Sequence, residues 1–551
     1  MTTKISRTDA RGLVPRLAAI SLLTLVGAGA ASAQNGSAYF WPGNLVVSRS
    51  VYDNNPNNIM VGATLPPNCV SACGAAISDG TYPYVWNNNL VDGSFGITSK
   101  LFLDQITPSG ALLTSLEVPN SSQNGVPPTK DQMVTSFSSK SELALNLSTD
   151  RQYLTFMGYV AAVDAIDVSN SNTPGVVDST NPVAESFYRA VAQVDQHGKL
   201  RFTETNAYSG NNGRAAILNS SNGANFFYTA GNAGNGGNPQ PDGIIIGAGA
   251  QILTPEVKAE VAQNPGTPTP VASFNITQLG DTADKIGKDT NFRGLTIFSN
   301  VLYYTKGSGG NGVNTVYFVD TTGTVCTDAN GIGLPAPSAS LPTSALPYNP
   351  AVLQTLGLDP NNMCILKGFP TALKSKTSFP FGIWFANANT LYVADEGNGD
   401  NTYSTTAGKY TKAAAQTTAG LQKWIFDSGL GMWKLAYTLQ AGLQLGTPYS
   451  VANYPTGNNS ATGLPWAPAT DGLRNITGIA NGDGTATIYG ITSTVSGNGD
   501  QGADPNKLVL ITDSLSATAL PVSESFTTLY QAGFGEVLRG VSFTPGTGVT
   551  Q

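Results

Sequence analysis

Between Asn291 and Asp320 the chain reads "NFRGLTIFSNVLYYTKGSGGNGVNTVYFVD", three short apolar runs parted by polar turns. Runs of that length, rich in β-branched and aromatic residues and bounded by Ser-Asn and Gly-rich segments, predict strands joined tightly. The beat returns with a fourth run in "FGIWFANANTLYVADEG", "LQKWIFD" and "WKLAYTL", and again in "NITGIANGDGTATIYGITS", "KLVLITD" and "FTTLY". Upstream it occurs as "ELALNLSTDRQYLTFMGYV", "RAVAQVD" and "KLRFTET", then as "RAAILNSSNGANFFYTAG", "AQILTP" and "ASFNIT". Each copy predicts one four-stranded antiparallel unit.

The two ends complete the count. "NLVVSRS", "KLFLDQI" and "LLTSLEV" read as second, third and fourth strands lacking a first. "LRGVSFTP", 538–545, matches "FRGLTIF" and is a first strand without successors. A last strand that completes the first unit closes a ring and leaves only short edges. The expected fold is therefore an all-β, six-bladed β-propeller, fastened by pairing the C-terminal strand into the N-terminal blade. A seven-bladed ring with one degenerate blade inside a loop is the alternative count. The repeats resemble the NHL-repeat, SMP-30/gluconolactonase and phytase propellers in architecture. Phrases such as "FRGLTIF", "LYVADEG" and "LRNITG" resemble a group of exported bacterial propeller proteins. The resemblance implies a fold and no activity, since no Asp-box run or WD dipeptide set accompanies it.

The N-terminus changes the picture of where this ring works. Lys4, Arg7, Arg11 and Arg16 precede the apolar "LAAISLLTLVGAGAA", and "ASA" stands before Gln34. That is the layout of a signal peptide, 1–33, with the propeller as 34–551. The expected location is secreted or periplasmic. Without the leader the chain keeps 24 basic and 34 acidic residues, net −10. Nucleic acid and anionic membranes need a basic face, so neither is an expected partner. No later run reaches membrane length. A monomer is expected. In an oxidising compartment Cys69 with Cys73, and Cys326 with Cys364, read as disulfides.

Alternating strand direction places a–b and c–d turns on one face, and b–c loops with d–a crossovers on the other. The a–b turns are short, as in "STDRQ" and "NANT", while the b–c loops near 52–98, 161–188, 231–249, 398–420 and 494–506 are long. Long loops gathered on one face mark the functional side. The stretch between Cys326 and Cys364 is the exception, a c–d insertion on the plain face.

Aligned first strands bring Arg293 ("FRGL"), Arg539 ("LRGV"), Arg474 ("LRNI") and Arg214 ("GRAA") to one position, with Glu142 ("SELA") and Phe381 ("PFGI") in the other two blades. First strands are innermost, so these residues ring the channel mouth beneath the long loops. Guanidiniums cannot deprotonate, and something anionic must answer them. One answer is local pairing with Asp289, Asp471 and Glu536, each three or four residues upstream of an arginine. The other is an anionic ligand, with Tyr304 and Tyr392 on second strands as further contacts or bases. "ADEGNGDN" gathers Asp395, Glu396 and Asp400 in a Gly/Asn loop whose oxygens suit Ca²⁺, without EF-hand spacing.

A single histidine, His197, in a c–d turn, removes the Ser-His-Asp and Cys-His arrangements and His-ligated zinc. Haem, NAD, PQQ and zinc are not expected. Three functions remain. The favoured one is binding of a small anion or glycan at the elaborated face, with Ca²⁺ assistance. The others are a histidine-independent lyase or hydrolase acting on an anionic sugar, phosphoester or lactone, and a structural or adhesive envelope protein.

Overall fold

In a computed structural model the described residues are 39–55, 57–60, 62–65, 68–69, 73–76, 96–137, 143–233, 249–255, 270–274, 291–307, 313–325, 331–343, 363–372, 378–460, 462–498 and 501–548. They form six antiparallel sheets of a six-bladed β-propeller. The closing blade sets the C-terminal strand Glu536–Phe543 beside Leu45–Val51, Thr98–Ile106 and Leu112–Glu117. The ring is thus fastened as the end-runs imply, and the count is six rather than seven. The other first strands are Asn146–Leu147, Gly213–Asn219, Phe292–Phe298, Pro380–Asn387 and Ala469–Ala480. Each first strand touches the next, all the way round. The one α-helix among the described residues, Thr411–Ala414, is a single turn, and none of their helices could cross a membrane.

Position in the blade explains burial. Second strands such as Val301–Lys306 and Thr390–Asp395 are buried along their whole length. They are covered on both faces by neighbouring blades, hence their unbroken apolar runs. The outermost strand Leu112–Glu117 is exposed or half-buried throughout. Near the axis, first-strand side chains including Leu147, Ile217, Trp384 and Phe543 line a cavity of about 40 Å³. That is room for one or two waters.

The first strands share a device that the alternation alone does not reveal. Pairing with the second strand slips between Gly213 and Ala215, Phe292 and Gly294, Pro380 and Ile383, and Leu473 and Ile476. In the closing blade the slip falls between Leu538 and Val541. Each slip is a β-bulge holding one of the aligned residues: Arg214, Arg293, Phe381, Arg474 or Arg539. A bulge turns its extra residue out of the ladder.

The glycine after the arginine has its own reason. A Cβ on Gly294 would lie 2.4 Å from the Phe381 carbonyl oxygen, and one on Gly540 would lie 2.3 Å from that of Leu143. Adjacent blades touch backbone to backbone here, and only glycine leaves the room. A second-strand hydroxyl seals each contact. Ser48 Oγ accepts from Gly540 N at 2.8 Å and donates to the Leu143 carbonyl at 3.0 Å. Thr305 Oγ1 likewise accepts from Gly294 N at 2.9 Å and donates to the Phe381 carbonyl. In the second blade the backbone at this level is Leu143, one residue beyond the Glu142 of the sequence alignment. Glu142 itself lies outside the described residues.

Candidate functional site

The bulges bring two of the four arginines onto one carboxylate. Arg474 Nε lies 3.2 Å from Glu396 Oε2, and Arg293 Nη2 lies 3.7 Å from Glu396 Oε1. The two guanidiniums also flank one ring, at 5.5 Å and 5.7 Å from the centre of Phe381. The sequence-aligned position that lacks an arginine therefore supplies the aromatic face between two that have one. Glu396 is held from both sides. Its N–H donates to the Phe379 carbonyl at 3.0 Å, and its own carbonyl accepts from Ser493 Oγ at 2.5 Å. The three charged side chains keep 11%, 17% and 12% exposure for Arg293, Arg474 and Glu396, enough to be reached from the mouth.

The other two arginines are built into the wall. Arg539 is buried and donates from Nε to Ser50 Oγ at 3.1 Å. Arg214 is also buried, and its Nη1 donates to Asn291 Oδ1 and, at 3.4 Å, to the Phe292 carbonyl. The four do not form an equal ring.

Local pairing is not what the nearby acids do. Glu536 accepts from Arg49 at 2.6 Å, a bond between the C-terminal and N-terminal strands that also locks the ring. Arg49 in turn meets Asp104 at 2.5 Å. Asp471 accepts from Gly399 N at 2.8 Å and from Gln416 Nε2 at 2.5 Å. Its burial, with the charges of Glu396 and Asp395 nearby, pushes its carboxyl up to about 7. Asp289 lies outside the described residues.

The acidic loop is likewise dispersed. Asp395 is fully buried and accepts from Phe379 N at 2.9 Å, Gly397 N at 3.0 Å and Gln422 Nε2 at 3.1 Å. Burial raises it to about 6 despite those bonds. Asp400 caps its own turn, accepting from Thr402 N and Oγ1 at 3.0 and 2.6 Å. Glu396 faces the arginines. Among the described residues no three His, Cys, Asp or Glu side chains gather as a metal site would require.

Tyr304 and Tyr392, expected at the ligand, are wholly buried between blades. Both stand on second strands whose two faces are covered, which carries their hydroxyls away from the mouth. Tyr304 donates to the Thr229 carbonyl at 3.3 Å. Tyr392 donates to Asp513, which also meets Lys423 Nζ at 2.9 Å and Tyr437 hydroxyl at 2.6 Å. That buried network fastens the fifth blade to the sixth. Its sequence signal was a lysine inside the apolar "LQKWIFD". A second residue missed by sequence reasoning is Arg189, fully buried, whose guanidinium donates to the carbonyls of Phe187 (2.6 Å), Asn211 (2.6 Å) and Ser171 (2.9 Å). Desolvation lowers it to about 10, and it ties down the long loop of the second blade.

His197 is exposed in its c–d turn, as expected. Cys69 and Cys73 are bonded to each other. Cys364 is disulfide-bonded, and its expected partner Cys326 lies outside the described residues.

No protein-family model matches the chain, and no curated protein does. Among solved structures, two of a polysaccharide lyase described as PL25 ulvan lyase, one bound to -[GlcA(1-4)Rha3S]-, overlap 87% of this chain and 96% of their own. Identity is 11% for both, with TM-scores of 0.31 and 0.29. A computationally designed protein, Ika8, overlaps 74% of this chain and 92% of its own at 8% identity and a TM-score of 0.23. Overlaps this loose carry no argument about the site.

Proposed function

We propose that this chain is an exported, monomeric propeller that binds an anionic small molecule or glycan at the channel mouth through Arg293 and Arg474. The observation that carries the reading is the shared carboxylate. Two guanidiniums from the fourth and sixth blades converge on Glu396 from the fifth. A partly desolvated cationic pair attracts a carboxylate, sulfate or phosphate more strongly than it would in water. Phe381 between them offers an apolar face to a ring-shaped ligand. Binding is favoured over turnover because Tyr304 and Tyr392, the candidate bases, are buried in blade seams.

The reading is tested by a thermal-shift screen of sulfate, phosphate, glucuronate and galacturonate oligomers. At least one should raise the melting temperature of the wild type, and the Arg293→Ala/Arg474→Ala variant should lose that shift while remaining folded. No shift with any of them, or an equal shift in the variant, defeats it. Ca²⁺ assistance, which the placement of Asp395 and Glu396 does not favour, is tested separately by calorimetry of the wild type against Asp400→Ala.

A further inference from the structure

The plain face holds a cleft that the anion reading does not use. Its volume is about 460 Å³, inside the range of roughly 300–1,000 Å³ found for small-molecule sites. One wall is the a–b turn of the third blade, with Asn222 at its tip, and another is the a–b turn of the fourth, with Asn300. The third wall is Ser340–Thr343, from the c–d insertion of the fourth blade. Among the described residues no ionisable side chain lines it, and eight of the twelve lining residues carry a neutral hydroxyl or amide.

We propose that this cleft binds a neutral saccharide. An ion entering here would lose water without gaining a counter-charge from the described lining, so charged ligands are disfavoured. Hydroxyl and amide side chains both donate and accept, which is the pattern that sugar hydroxyls present in return. Phe298 adds an apolar wall for the carbon-bound hydrogens of a sugar ring. It is fixed by stacking on Phe385 with centroids 4.5 Å apart and planes 9° apart.

The walls are also held in place before any ligand arrives. Tyr228 hydroxyl accepts from Asn219 Nδ2 at 3.0 Å on the third-blade wall and donates to the Pro342 carbonyl at 2.7 Å on the insertion wall. Thr149 Oγ1 accepts from Ser220 N at 2.9 Å and Ser221 N at 3.1 Å, which fixes the turn below Asn222. Such bracing lowers the ordering cost of binding. Asn222 and Asn300 are exposed and sit at φ 55° and 60°, the left-handed region. Glycine takes that backbone without strain, so both amides can be deleted and the turns kept.

The test is isothermal titration of the full chain with cellotriose, maltotriose, mannotriose and xylotriose. At least one should bind with a Kd of about 1 mM or tighter. Asn222→Gly/Asn300→Gly should weaken it about tenfold, and Ala224→Trp, which fills the cleft, should abolish it, both with unchanged circular dichroism. Arg293→Ala/Arg474→Ala should leave it unaltered, which separates this site from the anion site. Failure of all four sugars to bind at about 10 mM overturns the proposal. So does binding that both cleft variants leave intact.

Discussion

The aspartates of the two faces behave as if they belonged to different proteins. On the face of short turns, Asp150, Asp427 and Asp483 each cap a turn. Asp483 accepts from Thr485 Oγ1 and N, and Asp427 from Lys434 Nζ and Leu430 N. These bonds hold both carboxyls below the usual range. For Asp150 partial burial pulls upward, but bonds from Ser148 Oγ and Gln152 N outweigh it and the carboxyl is lowered. On the face of long loops, Asp164, Asp395, Asp471 and Asp504 are pushed up to about 6, 6, 7 and 7, desolvation being the largest cause each time. Two residues cross the division: Asp400 caps a turn within a long loop and is lowered, and Glu524 on a c–d connection is raised to about 7 by burial near Asp513.

The described parts of the long loops are thus an interior. They bury acids that the short turns would leave in water, and place Arg293, Arg474 and Glu396 where charge is poorly screened. The plain face, with its capped turns and neutral cleft, does the opposite.

The hardest blow to that contrast is Arg189→Met. It strands the carbonyls of Phe187 and Asn211 beside the loop, and at about 1–3 kcal/mol per unsatisfied group the loss of stability should reach about 2 kcal/mol or more in urea unfolding. A loss within about 0.5 kcal/mol, the range of ordinary surface changes, would mean that the loop is not held this way.

The second effect is on pH dependence. Folded carboxyls near 6 and 7 at Asp395 and Asp471 stand above the unfolded value of about 3.9. Folding therefore takes up protons between those values, so this contribution to stability is complete below about 3.9 and is lost as pH rises through 6 and 7. The protein should gain stability as pH is lowered from about 8 to about 5, and Asp471→Asn should flatten part of that slope. A flat profile in this window, unchanged by Asp471→Asn, would place these acids in water.

The smallest effect belongs to the plain face. Asp150→Ala removes the bonds from Ser148 Oγ and Gln152 N and should cost about 1 kcal/mol. It should leave the slope between about pH 5 and 8 untouched, because a lowered carboxyl titrates below that window.

Blade number, strand order and the closing strand were legible because apolar alternation and turn chemistry repeat along the chain. Arg293 and its counterparts were legible too, since "FRGL" and "LRGV" recur at equal places. Their partners were not. Asp471 lies three residues from Arg474 in the chain yet turns to Gly399 and Gln416, while Glu396, from another blade, takes the arginine. Pairing across a seam depends on bulges and backbone contacts that leave only a small residue after the arginine as their trace. Tyr304 and Tyr392 misled for a related reason: a tyrosine on a second strand alternates toward a neighbouring blade, and the sequence does not say which neighbour receives the hydroxyl.

The most direct test of the anion site is calorimetric titration of glucuronate into the wild type, Glu396→Gln and Arg293→Ala/Arg474→Ala. Glutamine keeps the size of Glu396 and removes the charge that competes with ligand. Glu396→Gln should therefore bind at least about fivefold more tightly than wild type, since one charge at contact distance is worth roughly 1 kcal/mol even in bulk water. The double alanine variant should bind nothing. Equal affinity in all three proteins, or weaker binding in Glu396→Gln, would show that the two arginines exist to hold their neighbouring carboxylate and receive no ligand.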